Sequence, residues 1–547
     1  MKKINKKKGF TLVELLGVIL IISVLALIIM PLIIKSMKES KKKLTEAQIK
    51  LIYSASDTYI KKYKNEYPNI VSNKYCITIQ KLVNEGLLDE KLKNYIDNSE
   101  VELETSIEVN VDSKISYSYE LKYDRISCSV DMAKAPILAK QNQWVVGLDL
   151  TKIERIEFVN VASFPEGSID VSDKKNGKVK RWIKDEDDNG MLEVYIGAVN
   201  DVVYANPDSW GVFSAIKSVR TIKLYNFDTS LVTRMNNMFN DAGSSAASLE
   251  IDFGNRFDTS NVTDMSYMFS NTGRSSPNFT LNLGTKFDTN SVINMKSMFS
   301  NTGMISPNFT LNLGTKFDTS NVTDMESMFQ RSGSNSLKYV LDLGDKFNTS
   351  KVTNMNSMFS SVGYYSPNFK LNLGNKFDLS SLKSSYHMFS SVCANCENYT
   401  LYLKTTNLNA DVSLSGMFLG LGSQSKNFTL NLSEFDTSKV TNMSAMFSGA
   451  GNGVVAENFT LILGNRFDTS KVTNMNSMFN EVGMYDKNFS LYLGNNFNVD
   501  LVVELSNTFY RTGMSIPGFK PTAKVKTQAE KDAIISKFPN IDVAIKP

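Results

Sequence analysis

Phe257-Asp258-Thr259-Ser260-Asn261-Val262-Thr263-Asp264-Met265-Ser266-Tyr267-Met268-Phe269, continued by Phe279-Thr280-Leu281-Asn282-Leu283-Gly284, is the stretch whose reading decides the fold. Val262, Met265, Met268 and Phe269 stand at i, i+3, i+6 and i+7, which predicts one face of a short helix. Asp258, Thr259 and Ser260 precede it as N-cap candidates. Phe279, Leu281 and Leu283 alternate with Thr280 and Asn282, which predicts a strand with one buried face. Gly273 and Gly284 supply the turns. One helix and one strand cannot bury their own apolar faces, so the unit must stack on others.

It does recur, ten times and mostly every 30 residues. Met238-Phe239, Met268-Phe269, Met298-Phe299, Met328-Phe329, Met358-Phe359, Met388-Phe389, Met417-Phe418, Met446-Phe447 and Met478-Phe479 fix the register, and Thr508-Phe509 is a degenerate tenth. The expected architecture over 225–515 is an α/β solenoid of strand-helix units. The phrase Phe-Asp-Thr-Ser-x-Val-Thr-x-Met-x-x-Met-Phe resembles the BspA-like leucine-rich repeats of bacterial surface proteins, with longer units than their commoner members. That resemblance implies a leucine-rich-repeat-like solenoid, a cell-surface location, and adhesion through a protein or glycan ligand of host or matrix. The strand face that such proteins often use maps here to Thr280, Asn282, Thr310, Asn312, Lys370, Asn372, Thr429 and Asn431. The structural alternative is that these side chains only pair across strands, worth about 0.2–1 kcal/mol per pair.

Two irregularities interrupt the array. Cys393-Ala394-Asn395-Cys396 falls where other units carry Gly and the loop after it. A lone Cys-x-x-Cys is a weak metal signal, because structural zinc wants four ligands. A local disulfide stapling an exposed loop is expected instead. His387, the one histidine, occupies a polar helix position and reads as surface. The seventh unit replaces Asp-Thr-Ser by Leu408-Asn409-Ala410-Asp411-Val412, a place for a bend or break.

At the other end of the chain, a leader with Lys2, Lys3, Lys6, Lys7 and Lys8 precedes Gly9-Phe10-Thr11-Leu12-Val13-Glu14 and an apolar run to Ile34. As a helix, residues 10–34 would reach roughly 37 Å, enough to cross a bilayer. Glu14 is the only charge in the run, and a carboxylate there costs about 2.5–3.5 kcal/mol. These residues resemble the class III signal of type IV prepilins: basic leader, Gly9 at the cut position, Phe10 next, Glu14 five residues in, and Pro31 where such pilins often carry a proline. The resemblance implies cleavage between Gly9 and Phe10 by prepilin peptidase and methylation of the new N-terminus. It also implies other pilin subunits as partners, with Glu14 of one subunit meeting the Phe10 amine of its neighbour, which neutralises the buried charge.

Between signal and repeats, an apolar stripe from Leu44 to Ile60 extends the helix until Pro68, giving a pilin N-terminal helix over 10–68. Residues 69–133 read as a pilin-like β head, with a short helix at Ile77–Leu88 and alternating runs at 101–107, 115–121 and 126–130. A disulfide between Cys76 and Cys128 would close a loop of about 53 residues, worth on the order of 4 kcal/mol; the alternative is two buried free thiols. Residues 134–224 hold all three tryptophans and read as a β-rich connector and N-terminal cap. Residues 516–547 read as a C-terminal cap, with a helix from Thr527 to Phe538 and a strand at Ile541–Ile545.

The formal charge is +4, and the five leader lysines account for more than all of it, leaving the rest near −1. No basic field argues for nucleic acid. No nucleophile–base pair, carboxylate dyad, phosphate loop or metal cluster stands out, so neither an enzyme nor a cofactor is expected. The sequence reads as a minor type IV pilin or pilin-like surface protein, held in the cell membrane before assembly and then on the surface or pilus. The alternative is a pseudopilin of a secretion or uptake assembly, or an unassembled anchored protein whose repeats are a spacer.

Overall fold

The computed structural model describes residues 46–62, 74–78, 82, 86–88, 106–111, 117–122, 135–285, 287–405, 408–409 and 412–545. The leader, the apolar run 10–34, Cys128 and the run 126–130 lie outside them. Among the described residues no helix is long and apolar enough to cross a membrane. The chain divides into two units, residues 1–134 and 135–547.

In the first unit, helix α1 spans Glu46–Lys62 and buries Ile52, Tyr59 and Ile60. Strands β1 (Lys74–Thr78), β2 (Ser106–Val111) and β3 (Tyr117–Lys122) form an antiparallel sheet in that order. The Tyr119 ring stacks on Tyr53 at 5.8 Å and its hydroxyl donates to Asp57 at 2.9 Å, docking α1 on β3. The short helix expected from Ile77 does not begin there: Ile77 lies in β1, opposite Ile107. Pairing with β2 overrides local propensity.

The second unit opens with a short helix α2 (Gln141–Trp144). The indole of Trp144 is fully buried and donates to the Val212 carbonyl at 3.0 Å. Strands β4 (Ile153–Val161), β5 (Ile169–Asp170), β6 (Lys180–Lys184) and β7 (Leu192–Val199) follow, with left-handed turns at Gly177 and Gly190. A parallel pair, β8 (Val203–Tyr204) with β10 (Phe227–Asp228), lies beside them. The larger sheet runs β11-β9-β4-β7-β6-β5, where β9 is Thr221–Lys223 and β11 is Glu250–Asp252. β9 thus pairs in parallel with β4 on one side and with the array strand β11 on the other, so the connector covers the open edge of β11.

The array continues through β12 (Thr280–Asn282), β13 (Thr310–Asn312), β14 (Val340–Asp342), β15 (Lys370–Asn372), β16 (Asn398–Thr405), β17 (Asn427–Phe435) and β18 (Asn458–Ile462). β12 pairs with β13, β14 with β15, and β17 with both β16 and β18, all in parallel with residues opposite their equivalents one unit on up to the bulge in β16. Inside, Phe239, Phe269, Phe299, Phe329, Phe359 and Phe389 stack face to face at 5.1–5.8 Å.

The expected helix is absent: among the described residues of 225–515 no helix occurs. Val262, Met265, Met268 and Phe269 are fully buried, as a helix would have them, but they sit on consecutive turns. Tyr267 and Asn271 take φ of 58°, and their equivalents repeat this. Left-handed residues every fourth position break a helix. Backbone donors then alternate. Those of Met265, Tyr267, Phe269 and Asn271 reach carbonyls of the next unit at 2.8–3.0 Å, and those of Met268, Ser270 and Thr272 reach back three residues at 3.1 Å. At Gly273, with φ of 53°, an added Cβ would stand 2.4 Å from the Phe279 ring.

The N-cap candidates do other work. Ser260 N–H donates to the Asp258 carboxylate at 2.9 Å, closing a local turn. Thr259 is fully buried, and its hydroxyl donates to the Asp288 carbonyl of the next unit at 2.8 Å. Ahead of the irregular Leu408–Val412 stretch, the pairing of β16 with β17 shifts by a bulge between Tyr402 and Lys404, and the bridges Ser384–Ser413–Asn442 continue past it.

The array ends on β19 (Thr522–Val525), α3 (Gln528–Lys537) and β20 (Asp542–Ile545), with β19 and β20 parallel. Thr527 caps α3 in a reciprocal capping box with Glu530. Phe538 packs edge-on against Phe509 at 5.2 Å, and the Lys537 ammonium donates to the Val499 and Val502 carbonyls.

Candidate functional site

The alternation along each array strand sends its middle leucine inward and the flanking residues outward. Thr280 and Asn282 face Thr310 and Asn312 in register, and Lys370 and Asn372 face Val340 and Asp342. All eight are exposed, while Thr429 and Asn431 are half-buried. The sequence-derived residues thus occupy the outward positions of three sheets, β12-β13, β14-β15 and β16-β17-β18.

The asparagines there also end their strands. The side-chain oxygens of Asn282, Asn312 and Asn372 accept the N–H of Gly284, Gly314 and Gly374 at 2.9–3.0 Å. Asn431 accepts from Ser433 at 3.0 Å, and the Asn372 amide donates to Asp342 at 3.0 Å. Each oxygen has one of its two acceptor positions taken, so the amide hydrogens of Asn282, Asn312 and Asn431 and the threonine hydroxyls are what these outward positions offer a ligand.

Sequence reasoning passed over three residues of the same columns. Tyr402, Ile462 and Tyr492 are 43%, 38% and 40% exposed, large side chains at outward positions. The alternation Tyr399-Thr400-Leu401-Tyr402-Leu403 carries their signal, since Leu401 and Leu403 are buried.

Cys393 and Cys396 form a disulfide with Cα atoms 5.2 Å apart. The staple is not on an exposed loop: the two residues are 0% and 2% exposed. They replace the Gly and Ser that neighbouring units place at Gly363 and Ser366, and Cys393 keeps the left-handed φ of 55°. Of the other candidate pair, Cys76 lies on β1 and Cys128 falls outside the described residues. His387 is half-buried in a turn rather than on a helix surface, with φ of 56°. Its ring stacks on Tyr386 at 3.7 Å and fills the space beside Gly416. Burial holds its pKa below the ordinary value. Burial also pushes Asp288 up, against the Asn290 N–H bond and the charge of Lys316. Among the described residues no group of three or more His, Cys, Asp or Glu could hold a metal ion.

A family model described as Mycoplasma protein of unknown function, DUF285, matches residues 209–336, 275–402 and 391–516, together more than half of the chain. The chain belongs to this family. The DUF285 matches begin at the connector's last turns, where Ser209 donates its N–H to the Arg234 carbonyl of the first unit, and they run through the stacked units. A second model, the prokaryotic N-terminal methylation motif, matches residues 4–30. It is a type IV pilin-like signal of the kind that prepilin peptidase processes. Gly9, Phe10 and Glu14 lie within it and Pro31 one residue beyond, all outside the described residues. No curated protein and no solved structure matches the chain.

Proposed function

We propose that this DUF285 protein is a minor type IV pilin or pilin-like surface protein that displays its repeat stack for adhesion to host, matrix or other cells. The observation that carries the reading is the presence on one chain of a methylation motif at 4–30 and in-register repeats over 209–516. In this reading prepilin peptidase cuts between Gly9 and Phe10, and the 10–34 segment holds the protein in the membrane. Glu14 then pairs with the Phe10 amine of a neighbouring subunit, since a carboxylate costs about 2.5–3.5 kcal/mol at a bilayer centre unless paired. The repeats work as a leucine-rich-repeat-like solenoid with strand-turn units. The chain performs no catalytic step and takes no cofactor. Some 480 residues beyond the N-terminal helix would crowd every position of a filament lattice, which favours a minor over a major subunit.

Immuno-electron microscopy of filaments sheared from cells tests this, comparing the wild type with Glu14→Ala. Label along or at the tip of filaments, lost in the variant, is the expected result. Label on the cell body alone in both would overturn pilus incorporation and leave an anchored protein with the repeats as a spacer.

A further inference from the structure

Resting on the surface-display reading above, we infer that the outward sheet face from Thr400 to Tyr492 binds a neutral, linear glycan laid along the stack. Tyr402, Asn431 and Ile462 are register partners across β16, β17 and β18, and Tyr492 occupies the same column one unit on. Thr400, Thr429 and Thr460 are register partners in the adjacent column, with Ser490 next. The two tyrosines are three strand steps apart, roughly 14 Å at about 4.8 Å per step. Each step has the scale of one sugar ring.

The chemistry of the columns selects the ligand class. The Tyr492 ring is held from its hydroxyl end by donation to Asn495 at 2.5 Å, and the Tyr402 ring lies on the same face beside the Lys404–Glu434 register pair. The Tyr492 face is therefore pre-set, so a ligand stacking on it has less ordering cost to overcome. A pyranose offers what the rings match: an apolar C–H face to stack on the ring and hydroxyl edges to bond the neighbouring column. The threonine and serine hydroxyls both donate and accept, and Asn431 still has amide hydrogens to donate. Lys404 and Glu434 are register partners at the margin, so the patch carries no net charge to attract an anionic polymer. Asn431 separates Tyr402 from Ile462, so no continuous apolar surface forms of the kind that anchors a protein partner.

The test uses the full-length chain in detergent micelles. Retention by cellulose hexamer, chitin hexamer and heparin is measured by affinity electrophoresis for the wild type, Tyr402→Ala/Tyr492→Ala and Tyr402→Phe/Tyr492→Phe, with thermal melts of each. We expect retention by at least one neutral hexamer, weakened ten-fold or more in the alanine variant and within three-fold of wild type in the phenylalanine variant, because stacking needs the ring. Equal binding by wild type and a folded alanine variant would overturn the site. So would retention by heparin alone, or by none of the three. Surface labelling of cells carrying the same variants is read in parallel: label with no glycan binding sinks the glycan site alone, and loss of label from wild-type cells sinks the display reading.

Discussion

At the scale of single residues, the threonine of the Phe-Asp-Thr-Ser phrase explains more than any other position. Thr319 is fully buried; its hydroxyl donates to the Asn348 carbonyl at 2.9 Å and accepts the Asn348 N–H at 2.8 Å. One side chain thus satisfies two backbone groups of the next unit. Thr319→Val keeps the shape and strands both, at about 1–3 kcal/mol for each buried group left unpaired. We expect urea denaturation to show a loss of at least about 2 kcal/mol. His387 gives a pH dependence with a definite sign. Its folded-state value lies below the ordinary 6.5, so between the two the unfolded chain binds more protons. Stability from this residue is complete above the unfolded value and falls as pH drops towards the folded one. Melting temperature should fall from pH 7 to pH 5.5 by more in the wild type than in His387→Gln. Equal slopes would remove the histidine from the account.

At the scale of elements, the unit is a strand and a ladder of turns held by its neighbours. Core membership was legible because Met265, Met268 and Phe269 recur with fixed spacing. Their secondary structure was not, because three- and four-residue spacing suits both a helix and successive tight turns. The choice rests on the next unit, whose carbonyls take every second donor. The disulfide belongs to this scale. It closes a four-residue loop, for which the chain-entropy model gives about 2 kcal/mol. Reductant should lower the melting temperature of the wild type. The drop should be smaller in Cys393→Gly/Cys396→Ser, which lacks the staple, restores the Gly and Ser of neighbouring units and keeps only Cys76 and Cys128. An equal drop in wild type and double variant would show that the staple is not what reduction removes.

At the scale of the repeat-bearing unit, stability is a sum of neighbour contacts, and the ends need covers. Phe213 stacks on Phe239 at 5.2 Å at the start, and Phe538 closes on Phe509 at the finish. Phe538→Ala should expose the last units first. Truncating a buried phenylalanine costs about 3–5 kcal/mol, and in a linear array the loss is local. Hydrogen exchange should accelerate at residues 489–545 and stay unchanged near Met268. Uniform acceleration would mean that the array unfolds as one block.

The sequence by itself determined the repeat period, the buried positions, the strand faces, the capped C-terminal helix and the N-terminal signal. These follow from spacing and side-chain chemistry within one unit or one short segment. Tertiary structure alone decided that the turns replace a helix, that the buried threonines bridge units, that the staple is interior, and that Tyr402 and Ile462 flank Asn431 in register. Each of those depends on which backbone donors and side chains of one unit meet the next, and that register is set only when the stack forms.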